Sequence, residues 1–292
     1  MRVFVTGASG WIGSAVVPEL LAHGHEVTGL ARSDASAERL TAGGARVLRG
    51  DLDALEILRE GARTHDAVIH LAFVHDFSDF AGSLRKDRAA IDAIGDALEG
   101  TGRPFAIASG TLGLTPGRVA TERDRPDPAT AHPRQQSAAA ALALADRQVK
   151  PLVVRLAPTV HGEGDHGFVA ALVKAARERG VAGYVGAGDN RWTAVHRQDA
   201  AALFRLAIEQ APAQAVLHGV AEEAITAREI ADAIGRGLGM PTAPSAVEDL
   251  GWVGPMFAAD SPASSTLTRE LLGWKPAGPT LIDDLDAGYY FT

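Results

Sequence analysis

Cysteine is absent from the 292-residue chain. That excludes disulfides, thiolate metal sites and a cysteine nucleophile, and it fits a reducing compartment, so the cytoplasm is the expected location. Long apolar runs are missing too: the longest, 138–145, is far short of the ~18 residues needed to cross a bilayer, and no membrane span is expected. The amino terminus, MRVFVTG, enters a strand pattern directly, without the apolar block and small-residue cleavage site of a secretory leader. No dense basic run occurs, and 28 Lys and Arg stand against 36 Asp and Glu for a net charge of −8. Nucleic acid is therefore not an expected partner. The 32 glycines follow no fixed period and sit where the chain should turn.

What the chain does contain is alternation. Short β-branched runs at 2–6, 26–30, 46–48, 67–71, 104–109 and 151–156 are separated by helix-like segments at 12–23, 35–42, 52–60, 84–99 and 135–147. Runs that are apolar almost throughout, spaced for right-handed crossovers, predict an α/β fold with a doubly wound parallel sheet of the Rossmann type. The stretch 110–133 is rich in Pro, Thr and Asp, and 162–192 carries its own helical segment at 168–179. Further on, Thr226 and Glu229 have the spacing of a capping box. The expected partition is a dinucleotide-binding part at 1–161 and 193–220, interleaved with a smaller substrate-binding region at 162–192 and 221–292.

Directly after the first predicted strand stands Thr6-Gly7-Ala8-Ser9-Gly10-Trp11-Ile12-Gly13. Its position gives the pattern meaning: Gly7 can turn sharply, Gly10 leaves room for a pyrophosphate, and Gly13 lets the following helix pack close while its amides face the anion. Ser9 belongs to this loop and lacks the surroundings of a hydrolase nucleophile. At the end of the second strand an NAD-selective site would offer a carboxylate to the ribose. Arg32 and Ser33 stand there instead, and a guanidinium fork suits a 2′-phosphate, so NADP(H) is the expected cofactor.

TGASGWIG, followed by Gly50-Asp51-Leu52, Asp66-Ala67-Val68-Ile69-His70-Leu71-Ala72, Ile107-Ala108-Ser109-Gly110-Thr111, the RLAPTVHG of 155–162, the TAVHRQD of 193–199 and Leu272-Gly273-Trp274-Lys275-Pro276, resembles the extended short-chain dehydrogenase/reductase superfamily of epimerases, dehydratases and reductases. The resemblance spans most of the chain and is most specific in its first half. It implies that Asp51 and Leu52 lie near the adenine, Leu71 and Ala72 near the cofactor ribose, and Pro158, Thr159 and Val160 near the nicotinamide. It also implies that Ser109 hydrogen-bonds the substrate oxygen. The superfamily's Tyr-x-x-x-Lys pair has no counterpart: the tyrosines are Tyr184, Tyr289 and Tyr290, and none has a lysine four residues on. Around the equivalent helix start stand His132-Pro133-Arg134-Gln135-Gln136-Ser137, so that either His132 or Arg134 falls at the tyrosine position. The chain thus resembles an atypical member of the extended type.

Hydride transfer belongs to the nicotinamide, which leaves the protein to hold the carbonyl, stabilise the alkoxide and deliver a proton. Ser109 and Arg134 are the expected oxygen binders. Arg134 is a poor acid, so His132 or water completes protonation. The expected function is NADPH-dependent reduction of a ketone or aldehyde on a small hydrophobic molecule. The alternatives are a non-catalytic NADP(H)-binding sensor, and an epimerase or dehydratase that uses its cofactor transiently. Thr111, His75, His161, Phe168 and Trp192 are candidate substrate contacts, and Arg191 a candidate anchor for an anionic or carbonyl group. His196 is read as structural. The run His161-Gly162-Glu163-Gly164-Asp165-His166 holds metal-ligating types at no recognised spacing, and no metal is expected. Homodimers are common in the superfamily, and the helix predicted at 84–98 offers an apolar surface for one.

Overall fold

The computed structural model describes residues 1–74, 79–115, 117–126 and 133–292. The chain packs as two compact units. Unit 1 comprises Met1–Ser109, Pro126–Arg155 and Ala200–Leu217, and unit 2 comprises Gly110–Arg125, Leu156–Asp199 and His218–Thr292.

Unit 1 is built on strands β1 (Arg2–Thr6), β2 (Glu26–Ala31), β3 (Arg46–Arg49), β4 (Ala67–His70), β5 (Pro104–Gly110) and β6 (Lys150–Leu156). The helices between them are α1 (Gly13–Ala22), α2 (Asp34–Ala42), α3 (Leu55–Thr64), α4 (Phe80–Leu98) and α5 (Pro133–Ala143). Among the described residues seven strands form a parallel sheet in the order β10-β6-β5-β4-β1-β2-β3, with β10 at Ala215–Gly219. The order reverses between β1 and β4, and in open α/β sheets ligands bind at that crevice, outside the carboxyl ends of the strands. In-register pairing of Thr6 with His70 places the ends of β1 and β4 side by side.

Periodicity dictates the packing. Every residue of β4 is buried, as is each residue of β1 after its first, because the sheet is covered on both faces. Phe4, Leu58, Ile91, Ile94, Leu98 and Phe105 fill one side of it, all at most 1% exposed. Fully burying such a side chain contributes roughly 1.5–3 kcal/mol. The apolar face of α4, expected to be open to a second copy, is this packed face: Ile91, Ile94 and Leu98 are spent inside unit 1. Helix α3 begins at Leu55 rather than Leu52. The preceding turn is held by Asp51, whose Oδ1 accepts from the Asp53 and Ala54 amides at 3.0 and 3.1 Å.

Unit 2 contains β7 (Thr159–His161), α6 (Phe168–Arg179), β8 (Ala182–Tyr184), β9 (Arg191–His196), β11 (Glu222–Thr226), α8 (Ala227–Leu238), β12 (Thr242–Pro244), α9 (Gly254–Phe257), α10 (Thr266–Leu272) and α11 (Leu281–Asp286). Helix α7 (Arg197–Gln210) begins there and continues into unit 1. Strands β11, β9 and β7 form one small sheet and β12 with β8 another. The short strands had little sequence signal. The capping box did: Thr226 Oγ1 accepts from the Glu229 amide at 3.2 Å and the Glu229 carboxylate accepts from the Thr226 amide at 2.8 Å. Among the described residues no helix is long and apolar enough to cross a membrane.

Candidate functional site

The glycine turn joins β1 to α1 at the crevice. Gly7 adopts φ +67°, and a Cβ there would lie 2.6 Å from the Ala72 amide nitrogen and 2.8 Å from the Leu71 carbonyl carbon. Only glycine lets the turn sit this close to the end of β4. A Cβ on Gly13 would meet the Gly7 carbonyl oxygen at 2.1 Å, so α1 is pressed onto the loop. Gly10 differs: its Cβ position meets nothing within 4 Å but the Gly7 oxygen, at 3.2 Å. Ile12 precedes α1 and gives no side-chain cap; the Ser14 and Ala15 amides already donate to the Gly10 and Ile12 carbonyls at 2.9 and 3.0 Å, so what the helix start offers an anion is its positive dipole end. The Thr6 hydroxyl accepts from the Ala72 amide at 3.3 Å, and the Leu71 amide donates to the Thr6 carbonyl at 3.2 Å. This pins Leu71 and Ala72 beside the loop.

Around the cradle lie the other residues read from the sequence. Arg32 is exposed at the mouth of β2 and α2. The neighbouring carboxylate of Asp34 is taken by Arg49 at 2.6 Å, not by Arg32. Ser33 caps α2, accepting from the Ser36 amide at 3.3 Å. Asp51 is exposed and Leu52 buried.

At the end of β5 the Ser109 side chain is 8% exposed, and among the described residues its Oγ finds no hydrogen-bond partner. Arg134, in the first turn of α5, stacks its guanidinium 4.1 Å from the centre of the Phe73 ring and donates from Nη2 to the Ala108 carbonyl at 3.3 Å. Burial lowers the Arg134 guanidinium from its ordinary value and the Asp87 charge opposes that. His132 and His75 lie outside the described residues. Ser109, Arg134, the glycine loop and the end of β4 are thus all unit 1 features at the carboxyl ends of its strands.

The sequence reading missed three groups behind this edge. His70 Nδ1 lies 2.8 Å from Thr6 Oγ1, and His70 Nε2 lies 3.4 Å from Asp87 Oδ1. Burial alone would raise the Asp87 carboxyl. Bonding to His70, the Ser137 hydroxyl and the Arg134 charge together hold it below the usual carboxylate range. Asp87 is a lone acid on the buried face of α4, a signal that a search for motifs passes over.

The remaining candidates belong to unit 2. Thr111 spends its hydroxyl on the Leu156 carbonyl at 3.3 Å. Thr159 Oγ1 accepts from Trp192 Nε1 at 2.8 Å. Pro158 and Val160, on either side of it, are half-buried. Trp192, expected to touch substrate, is 1% exposed and packed edge-on against Phe168 and Phe257, which makes it core. Phe168 is half-buried and also lies 5.2 Å from the exposed Trp252 ring. His161, expected to face the nicotinamide side, is fully buried, with Nδ1 2.6 Å from Asp284 Oδ2. His196 packs edge-on against it at 5.5 Å. Arg191 is occupied by Asp260, through Nε at 3.0 Å and Nη2 at 2.7 Å, so its fork is used internally.

Strand, glycine turn, helix and strand order together define a dinucleotide-binding Rossmann protein. Residues 3–218 match the NAD dependent epimerase/dehydratase family. The chain belongs to this family of nicotinamide-dependent oxidoreductases. It is 45% identical to an uncharacterized protein of Schizosaccharomyces pombe over 297 aligned residues, 100% of both chains. It is equally 45% identical to an uncharacterized Saccharomyces cerevisiae protein, over 99% of each. A solved UDP-glucose 4-epimerase of Thermus thermophilus in complex with NAD superposes with a TM-score of 0.77 at 22% identity, covering 100% of this chain and 99% of that one. That likeness concerns the fold.

Proposed function

We propose that the protein is an NADP(H)-dependent oxidoreductase that reduces the carbonyl group of a small, apolar ketone or aldehyde. The observation that carries the reading is the pairing of Ser109, a buried hydroxyl without a partner among the described residues, with the Arg134 guanidinium at the adjoining Ala108 carbonyl. Ser109 lies at the end of β5 and Arg134 in the first turn of α5, both in the unit that carries the glycine cradle. A dinucleotide fits the cradle, since the Gly10 side is open and the start of α1 is uncapped. Exposed Arg32 and the absence of an acid at the end of β2 support the phosphorylated coenzyme.

The residues divide the work as follows. The glycine loop and the positive dipole end of α1 hold the diphosphate, Arg32 and Ser33 the 2′-phosphate, Asp51 and Leu52 the adenine end, and Leu71 and Ala72 the ribose. The resemblance assigns Pro158, Thr159 and Val160 to the nicotinamide. The nicotinamide, when bound, supplies hydride to the carbonyl carbon. As the carbonyl π pair moves onto oxygen, Ser109 donates a hydrogen bond and Arg134 offers fixed positive charge in a poorly hydrated site, where both count for more than in water. A proton then reaches that oxygen from His132 or solvent, completing the alcohol.

The test is purified protein with NADPH and a panel of ketones and aldehydes, followed at the coenzyme absorbance. Coenzyme oxidation that drops on Ser109→Ala is expected. Tight NADPH binding with no turnover anywhere in the panel would replace the reading with a non-catalytic NADP(H) sensor.

A further inference from the structure

A buried polar chain in unit 1 runs behind the strand edge and has no part in the chemistry above. Thr6 is 0%, His70 3% and Asp87 4% exposed, and polar groups this dry need partners. Asp87 Oδ1 lies 3.4 Å from His70 Nε2, and His70 Nδ1 lies 2.8 Å from Thr6 Oγ1. Thr6 Oγ1 in turn accepts from the Ala72 amide at 3.3 Å. Proton counting gives the chain one direction. The Asp87 carboxyl lies below the usual carboxylate range, so it is ionised and only accepts, and His70 Nε2 carries a proton towards it. A neutral ring then leaves Nδ1 as an acceptor, which the Thr6 hydroxyl fills by donating. With its one proton spent there, Thr6 Oγ1 turns a lone pair to the Ala72 amide. The opposite tautomer would set the bare Nε2 against the carboxylate and release the Thr6 hydroxyl to rotate.

What the chain holds is the seam between the glycine turn and the end of β4. Thr6 and His70 are paired in register, and Thr6 immediately precedes Gly7. The Ala72 amide nitrogen is the atom that a Cβ on Gly7 would meet at 2.6 Å. A backbone bond, from the Leu71 amide to the Thr6 carbonyl at 3.2 Å, fixes the residue before it. The Ala72 amide depends instead on the Thr6 side chain. We infer that His70 is a positioning residue for the coenzyme site: its Nδ1, turned to Thr6 by Asp87 on the other ring nitrogen, orients the Thr6 hydroxyl and through it holds the Ala72 amide against the glycine turn. The effect on coenzyme affinity rests on the function proposed above, but the tautomer and the hold on Ala72 do not.

Nitrogen-15 NMR of the imidazoles in the full-length protein, with His70 assigned by its loss in His70→Asn, should show a proton on Nε2 and none on Nδ1. A proton on Nδ1 overturns the inference. Amide hydrogen exchange reads the hold on Ala72 without any coenzyme, and it should quicken at least about tenfold in Thr6→Val and in His70→Leu. His70→Asn still offers a side-chain oxygen at about the reach of Nδ1, so its Ala72 exchange should stay within about threefold of the wild type. The NADPH Kd should follow the same order: at least about tenfold weaker in Thr6→Val and His70→Leu, within about threefold in His70→Asn. That rescue should hold although His70→Asn takes the imidazole from Asp87 and melts lower. The double variant Thr6→Val with His70→Leu should lose no more than either single one, because both break the same chain. Losses that add, or Kd values that track the melting temperature and not the acceptor facing Thr6, overturn the inference and leave the proposed function standing. If the His70 variants do not fold, Thr6→Val decides, since it leaves the ring and the carboxylate in place: unchanged Ala72 exchange overturns the inference. A wild type that binds neither NADPH nor NADH, yet shows the tautomer and the exchange order, sinks the proposed function and upholds the positioning role.

Discussion

His161 Nδ1 lies 2.6 Å from Asp284 Oδ2 and its Nε2 lies 3.6 Å from Glu222 Oε2, with the imidazole fully buried in unit 2. Burial alone would lower the imidazole, but the two carboxylates outweigh it and raise it above its ordinary value of 6.5. A folded value above the unfolded one stabilises fully below the unfolded value, and the gain is lost as pH rises through the folded value. Urea unfolding midpoints should therefore fall as pH is raised above 6.5, the reference value for the imidazole. His161→Gln takes the shared counter-charge from buried Asp284 and half-buried Glu222 and should cost about 3–5 kcal/mol at the acid end of this range. It should also remove the slope; an unchanged slope in the variant would assign the pH dependence to other groups.

The glycine turn separates folding from binding. A Cβ at residue 13 would meet the Gly7 carbonyl oxygen at 2.1 Å, a backbone atom that cannot move aside without opening the turn. Gly13→Ala should lower the melting temperature and abolish coenzyme binding together. At residue 10 the nearest atom is 3.2 Å away and the rest is open. Gly10→Ala should melt within a few degrees of the wild type yet bind NADPH at least about tenfold more weakly, because the methyl occupies space the diphosphate needs. Thermal melts and calorimetry on the two variants check this; equal binding losses with equal melting losses would remove the distinction.

The strand ends and the glycine turn could be read from the chain because they obey local rules: apolar runs, a turn that needs φ above zero, a helix start behind it. Ser109 was placed by the resemblance, and the geometry adds that its hydroxyl lacks a partner among the described residues. Other features are set by distant residues. Arg191 looked free because Asp260, which claims it, is 69 residues away. Trp192 and His161 looked like cleft residues because nothing nearby announces Phe257 or Asp284. Asp87 was invisible for the same reason, its partners His70 and Ser137 being brought in by β4 and α5. A sequence reads as chemistry most directly where the partners are neighbours along it.

Exposed Arg32 predicts how the coenzyme is selected. Arg32→Ala should weaken NADPH on the order of tenfold and leave NADH nearly unchanged, since only the former carries the 2′-phosphate. The NADPH advantage should also shrink with added salt, as exposed charge pairs are screened. Ser33 has a second duty, capping α2 through the Ser36 amide at 3.3 Å. Its replacement by alanine should cost about 1 kcal/mol of stability in addition to any binding loss. Titrations of both coenzymes at two salt concentrations decide it; equal weakening of NADH and NADPH in Arg32→Ala would take the residue out of selection.

Ser109 sets stability against activity. Its Oγ is buried and unpartnered among the described residues, and an unmade hydrogen bond in a dry place is a cost to the folded protein. Replacing it with alanine removes that cost, along with little volume, so Ser109→Ala should melt at or slightly above the wild-type temperature. A hydroxyl that serves only the fold would behave in the opposite way. On an active carbonyl substrate the same change should reduce kcat on the order of a hundredfold, the usual consequence of losing one donor to a developing oxyanion, with NADPH affinity preserved. Calorimetric melts beside steady-state kinetics check both halves: a destabilised variant with unaltered kcat would show that the hydroxyl belongs to the packing of β5 and not to the reaction.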